Sequence, residues 1–239
     1  MIRKPKGLLS IMLAVFLCVV SFAGCGSSKN DADNGNSGTA EPSSAEDSAG
    51  SADQESSAVY QQEPLKEFSA DELLSGKHHV EMDMGDLGAI KLELDADQAP
   101  ISVTNFIELA KQGFYNGLTF HRILTGSLIQ GGDPNGNGTG GPGYRIKGEF
   151  SANGVENNIS HVRGAISMAR TQDYDGGGCQ FFIMDSDYTD FDGQYAAFGS
   201  VTDGMDIVDK ICNETQVEDW NGTVDSANQP VIKEIRVID

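Results

Sequence analysis

Apolar and polar positions alternate twice in quick succession near residue 80. Val80, Met82 and Met84 recur at every second position, Gly85-Asp86-Leu87-Gly88 interrupts, and Ile90, Leu92 and Leu94 resume the alternation. A period of two broken by glycines predicts a β-hairpin over 79–94. The period then changes. Behind Pro100, a residue suited to the first turn of a helix, Val103, Phe106, Ile107 and Ala110 fall on one helical face as far as Gly113. Short strands are predicted at 118–124, 128–130, 164–169, 180–184 and 196–201, with loops rich in Gly and Asn between them. A second short helix over 205–212 presents Ile207, Val208 and Ile211, and residues 231–238 close as a strand. Many short strands, two isolated helices and no βαβ alternation predict an all-β fold, an antiparallel barrel or sandwich.

The first residues have a different character. Arg3, Lys4 and Lys6 precede an almost wholly apolar stretch from Leu8 to Ala23, followed by Gly24 and Cys25. A basic head, an apolar stretch and a small-residue cleavage site predict an export signal over 1–24. The ending FAGC resembles the bacterial lipobox, which implies that Cys25 is acylated and becomes the new N-terminus; Phe22 stands where leucine is usual. An uncleaved membrane anchor is the competing reading. Both place the remainder outside the cytoplasm, at a membrane. From 25 to 76 Ser, Ala, Gly, Asp and Glu dominate. Such a stretch buries too little apolar surface to offset its ordering entropy, which predicts a disordered acidic tether. A Gly/Ser-like coil of that length spans roughly 40 Å end to end. Residues 77–239 then suit one domain with a sizeable core.

Charge narrows the partners. The chain carries a net −20, and removing the three leader cations takes it to −23. Phosphate binding needs a basic face, so nucleic acid is an unsuited partner. With Cys18 in the leader and Cys25 in the lipobox, Cys179 and Cys212 remain, either as one disulfide in an exported protein or as two buried thiols. His78, His79, His121 and His161 assemble with no acids at a metal spacing, so neither metal nor cofactor is expected. The domain is expected to be a monomer.

Six blocks then occur in order: FHRI at 120–123, QGGDP at 130–134, GTGGPGY at 138–144, GAISMAR at 164–170, QFFI at 180–183 and FDGQYAAFG at 191–199. Together they resemble the cyclophilin family of peptidyl-prolyl isomerases, over the span from about Val80 to Asp239. The resemblance implies an eight-stranded antiparallel barrel capped by two α-helices. It also implies proline-containing polypeptides as substrates, and it gives Arg122 the role of the catalytic cation. If Thr125-Gly126-Ser127 is a three-residue turn, Arg122 pairs with Gln130 and the two share a face. A two-residue turn would put Ile129 there instead, and the resemblance favours the first. The strand QFFI sends Gln180 and Phe182 one way and Phe181 and Ile183 the other.

By resemblance Phe182 floors the proline pocket and Leu128, Phe191 and Tyr195 wall it, while Ala169, Arg170 and Gln180 border the groove. The sequence departs from the family at the rim. Ser127 stands where phenylalanine is frequent, Thr125 where proline is, Asp190 where many members have tryptophan, and Tyr195 where they have histidine. Activity with an altered substrate rim is expected. The alternative is a tethered module that grips proline segments with weak catalysis, as a surface chaperone or adhesin.

Overall fold

The computed structural model describes residues 63–239. The leader, Cys25 and the tether as far as residue 62 lie outside the described residues. Strands β1 (Lys77–Asp83), β2 (Ala89–Asp95), β3 (Thr119–Leu124), β4 (Leu128–Asp133), β5 (Ala165–Arg170), β6 (Gly177–Met184), β7 (Ala197–Asp203) and β8 (Glu234–Val237) form one sheet. Its order is β3-β4-β6-β5-β7-β2-β1-β8. Every neighbouring pair is antiparallel. The sheet curls until the segment that leads into β8 reaches β3. There the chain just ahead of β8 lies along β3: Phe120 N–H donates to Pro230 O at 2.9 Å and Ile232 N–H to Leu118 O at 2.8 Å. The predicted antiparallel barrel is present, and its helices are α1 (Pro100–Lys111) and α2 (Met205–Glu214).

Alternation decides which side chains enter. Val80, Met82, Ile90, Leu92 and Leu94 are all buried, as the hairpin pattern predicts. Phe106 from α1 joins them, its ring 5.0 Å from Tyr115, 5.5 Å from Phe181 and 5.3 Å from Phe198. The start of α1 has no capping side chain of its own. Glu149 supplies one from afar, accepting from the backbone N–H groups of Ile101 and Ser102 at 2.8 Å each. A carboxylate at a helix N-terminus satisfies orphan donors and complements the dipole. Cys179 and Cys212 are two buried free thiols. Burial pushes each up to about 12, so neither is a thiolate at neutral pH.

Several boundaries differ from the sequence reading, β6 for one beginning at Gly177 and not at Gln180. Strand β4 runs on through Gly131 and Gly132 to Asp133, and β8 is confined to Glu234–Val237. The compact unit begins at Glu63 and not at Lys77. Residues 63–76 lie on the domain as a strap: Lys66 N–H donates to Arg145 O at 2.8 Å, and Arg145 N–H to Pro64 O at 2.9 Å. Lys66 also pairs with Glu108 at 2.7 Å, and Phe68 and Leu74 pack on the core. Composition is averaged over a window, so two anchoring apolar residues inside an acidic stretch were lost in it. Cutting the chain at Lys77 should therefore cost about 2 kcal/mol, from two half-buried apolar side chains, or roughly 4–8 °C in Tm relative to residues 63–239. Equal melting temperatures for the two forms would show that the strap contributes nothing.

Candidate active site

Strand β6 separates two apolar clusters. Phe181 and Ile183 belong to the main core, while Phe182 and Met184 join Leu128 and Ala165 on the other face of the sheet. Leu124, Ala169, Phe191 and Tyr195 lean on this second cluster. The Phe182 ring meets Tyr195 edge-on at 5.6 Å and Phe191 at 6.0 Å, and those two lie 5.1 Å from each other. The result is an aromatic cup whose floor is the buried Phe182 ring and whose aromatic walls, Phe191 and Tyr195, are only half buried.

Beside the cup runs a polar line. The turn after β3 has three residues, so Leu124 pairs with Leu128 and Arg122 with Gln130. Gln130 in turn sits opposite Phe182 on β6. Arg122 Nη1 donates to Gln130 Oε1 at 3.1 Å, and its Nε donates to Asn221 O at 2.8 Å. Gln130 Nε2 donates to Gln180 Oε1 at 3.0 Å, and Gln180 Nε2 to Gly140 O at 2.9 Å. Each amide thus has its orientation fixed by a partner that accepts only or donates only. The loop that presents Gly140 is itself folded around Asp133, whose buried carboxylate accepts from the N–H groups of Asn135, Asn137 and Gly138. A Cβ at Gly140 would fall 2.1 Å from Asp133 Oδ1, which is why the close approach needs glycine.

Arg170 has a different task from Arg122. Its Nε and Nη2 donate to Gln194 O and its Nη1 to Thr171 O, while the guanidinium lies 4.7 Å over the Tyr195 ring. It braces a wall of the cup. Ala169 packs on the cup beside it; Asp190, next to Phe191 in the chain, is exposed, and Ser127 lies in the turn that leads into Leu128.

His161 is the member that the sequence reading passed over, considering it only as a metal ligand. Fully buried, it stacks on Phe182 at 6.0 Å with 22° between the rings. Its Nδ1 is 2.8 Å from Asp192 Oδ1 and its Nε2 is 2.9 Å from Ser167 Oγ. A carboxylate only accepts, so Nδ1 carries the proton and Nε2 accepts from the serine hydroxyl. Burial pushes the ring below the ordinary histidine range against the pull of Asp192, so it is neutral at neutral pH. Burial opposes ionisation of Asp192, but hydrogen bonds from Ser160 and His161 outweigh it and hold the carboxyl low. Nothing periodic announces this clamp, because Asp192 lies 31 residues along the chain from His161.

With this geometry in place, likeness to known proteins is informative. Residues 79–238 match the family described as "Cyclophilin type peptidyl-prolyl cis-trans isomerase/CLD". A Helicobacter pylori peptidyl-prolyl cis-trans isomerase is 49% identical over 126 residues, covering 52% of this chain and 74% of that protein. Peptidyl-prolyl cis-trans isomerase B of Bacillus subtilis is 45% identical over 124 residues, covering 52% and 83%. The crystal structure of a cyclophilin-type isomerase from Cryptosporidium parvum superposes with a TM-score of 0.60 at 29% identity, over 68% of this chain and 98% of that one. A cup with an arginine fixed at its edge, on an eight-stranded barrel that matches the family almost end to end, makes this chain a member of the cyclophilin-type peptidyl-prolyl cis-trans isomerases.

Proposed function

We propose that this isomerase accelerates rotation about X-Pro bonds in exported polypeptides, with Arg122 as the catalytic donor, while acylated Cys25 holds it at the outer face of a cell membrane. Rotation about the bond is opposed by amide resonance, a barrier of roughly 18–20 kcal/mol. No bond is made or broken. The catalyst has only to weaken the C–N double-bond character and bind the twisted amide better than either planar form.

The observation that carries the reading is the fixed guanidinium of Arg122 beside the Phe182 cup. With the proline ring on Phe182, between Leu128, Phe191 and Tyr195, the guanidinium is placed to donate to the prolyl nitrogen and draw its lone pair out of resonance. Gln130 and Asn221 hold the fork in place, so little reorganisation is needed as the amide twists. Gln180, Ala169 and Arg170 border the peptide's path. A protease-coupled assay on proline peptides tests this directly, and binding without turnover would favour the surface chaperone instead.

Tethering has its own test. The leader and FAGC motif support acylation at Cys25, and two or more lipid chains anchor stably where one is marginal. Cys25→Ala should move the protein out of the membrane fraction or leave an uncleaved precursor. Unchanged mass together with unchanged membrane retention would point to an uncleaved helical anchor.

A further inference from the structure

Past Arg122 the molecule displays its one tryptophan. Trp220 is 86% exposed, more than any other large apolar side chain among the described residues. An indole is among the least favourable groups to leave in water, and it is enriched where proteins grip partners. The loop that carries it is pinned to β3. Ile123 N–H donates to Gly222 O at 2.8 Å, Val224 N–H to His121 O at 3.1 Å, and Thr223 pairs antiparallel with Arg122 itself. Asp219 ties the turn from inside, accepting from Thr223 N–H at 3.1 Å and Thr223 Oγ1 at 3.0 Å. Gly222 has φ +79°, and a Cβ there would fall 2.1 Å from Ile123 O, so the loop's close approach depends on glycine. The residue after Trp220, Asn221, gives its carbonyl to Arg122 Nε. Trp220 is thus presented one residue from the group that holds the arginine, on a tied turn.

We propose that Trp220 is a specificity-determining residue of the isomerase. It packs on an aromatic or branched aliphatic side chain flanking the substrate proline, on the side of the prolyl bond turned away from Gln180. The polar contacts run in the order Gln180, Gln130, Arg122, Asn221, and a polypeptide held at Arg122 continues past one end of that line onto the indole. Asp190 is exposed and Ser127 lies in the turn after β3, so those two positions offer flanking residues no large apolar surface, whereas the loop next to Arg122 offers the indole. This rests on the assignment of Arg122 to the prolyl bond.

The test uses the full chain and two sets of proline peptides, one with phenylalanine or leucine next to the proline on either side, the other with glycine there. The kcat/KM preference for one apolar-flanked position over glycine should fall about tenfold in Trp220→Ala, equivalent to about 1.4 kcal/mol. Trp220→Phe should keep most of that preference. With one tryptophan in the chain, saturating apolar-flanked peptide should also shift its emission to the blue, and the glycine peptide should not. A uniform loss across all peptides, or an unchanged preference, overturns the proposal. If the wild type turned over none of the peptides, the assignment of Arg122 would fall, while a blue shift confined to apolar-flanked peptides would still place them against Trp220.

Discussion

Replacing Arg122 with alanine should lower kcat/KM for proline peptides by about 10²–10³, the usual loss when one preorganised transition-state donor is removed. Peptide affinity should fall far less, because the Phe182 cup survives the change intact. Arg122→Lys should recover only part of the loss. Lysine brings a point charge on a flexible stem, and it lacks the planar fork that here donates to Gln130 and Asn221 at once. Gln130 acts through Arg122, so its replacement by alanine should lie between wild type and Arg122→Ala. Single-turnover kinetics beside peptide titration separate the two contributions. Near wild-type turnover in Arg122→Ala would remove the assigned mechanism.

How far the sequence alone reaches can be followed residue by residue. Helix α1 was legible from Pro100 and the 3.6-residue spacing of its apolar positions. The hairpin was legible from strict alternation, since each face of β1 and β2 has one solvent state. Alternation also put Phe182 and Phe181 on opposite faces, but it could not say which face was the pocket. Buried aromatics in a β domain are usually core, so the floor was assigned by resemblance. The extension of β4 was missed because Gly131 and Gly132 read as loop, although a close-packed strand crossing needs them: a Cβ at Gly131 would fall 2.7 Å from Thr119 O. His161 and Trp220 carried no signal for a different reason. Their surroundings are built from distant segments, and neither periodicity nor composition reports a contact across 31 residues or a loop pinned by backbone hydrogen bonds.

His161 leads to the second large effect, on stability and its pH dependence. In the unfolded chain a histidine titrates near pH 6.5. In the fold, burial holds both His161 and His121 below that value. Above about pH 6.5 these rings are neutral in both states and their contribution is complete. As pH falls below it, the unfolded chain takes up protons that the folded one refuses, and stability is lost at up to about 1.4 kcal/mol per pH unit for each ring. His79 works the other way, its hydrogen bond to Asp239 raising it, but it lies exposed, where such pairs count for little. Depressed carboxyls such as Asp192 matter only at more acid pH, below their unfolded value near 3.9. Between pH 7 and 5 the two buried histidines pull stability down, while Glu149, whose carboxyl burial raises, works against them. His161→Ala should cost about 3 kcal/mol at pH 7, through the cavity beneath Phe182 and the Ser167 hydroxyl left without its acceptor. Its acid limb should also be shallower by about one proton, which a mere packing loss would not produce. Urea titrations of both proteins at pH 7 and 5.5 give the two numbers, and an identical pH dependence in the mutant would show that the ring does not stay neutral beneath the pocket floor.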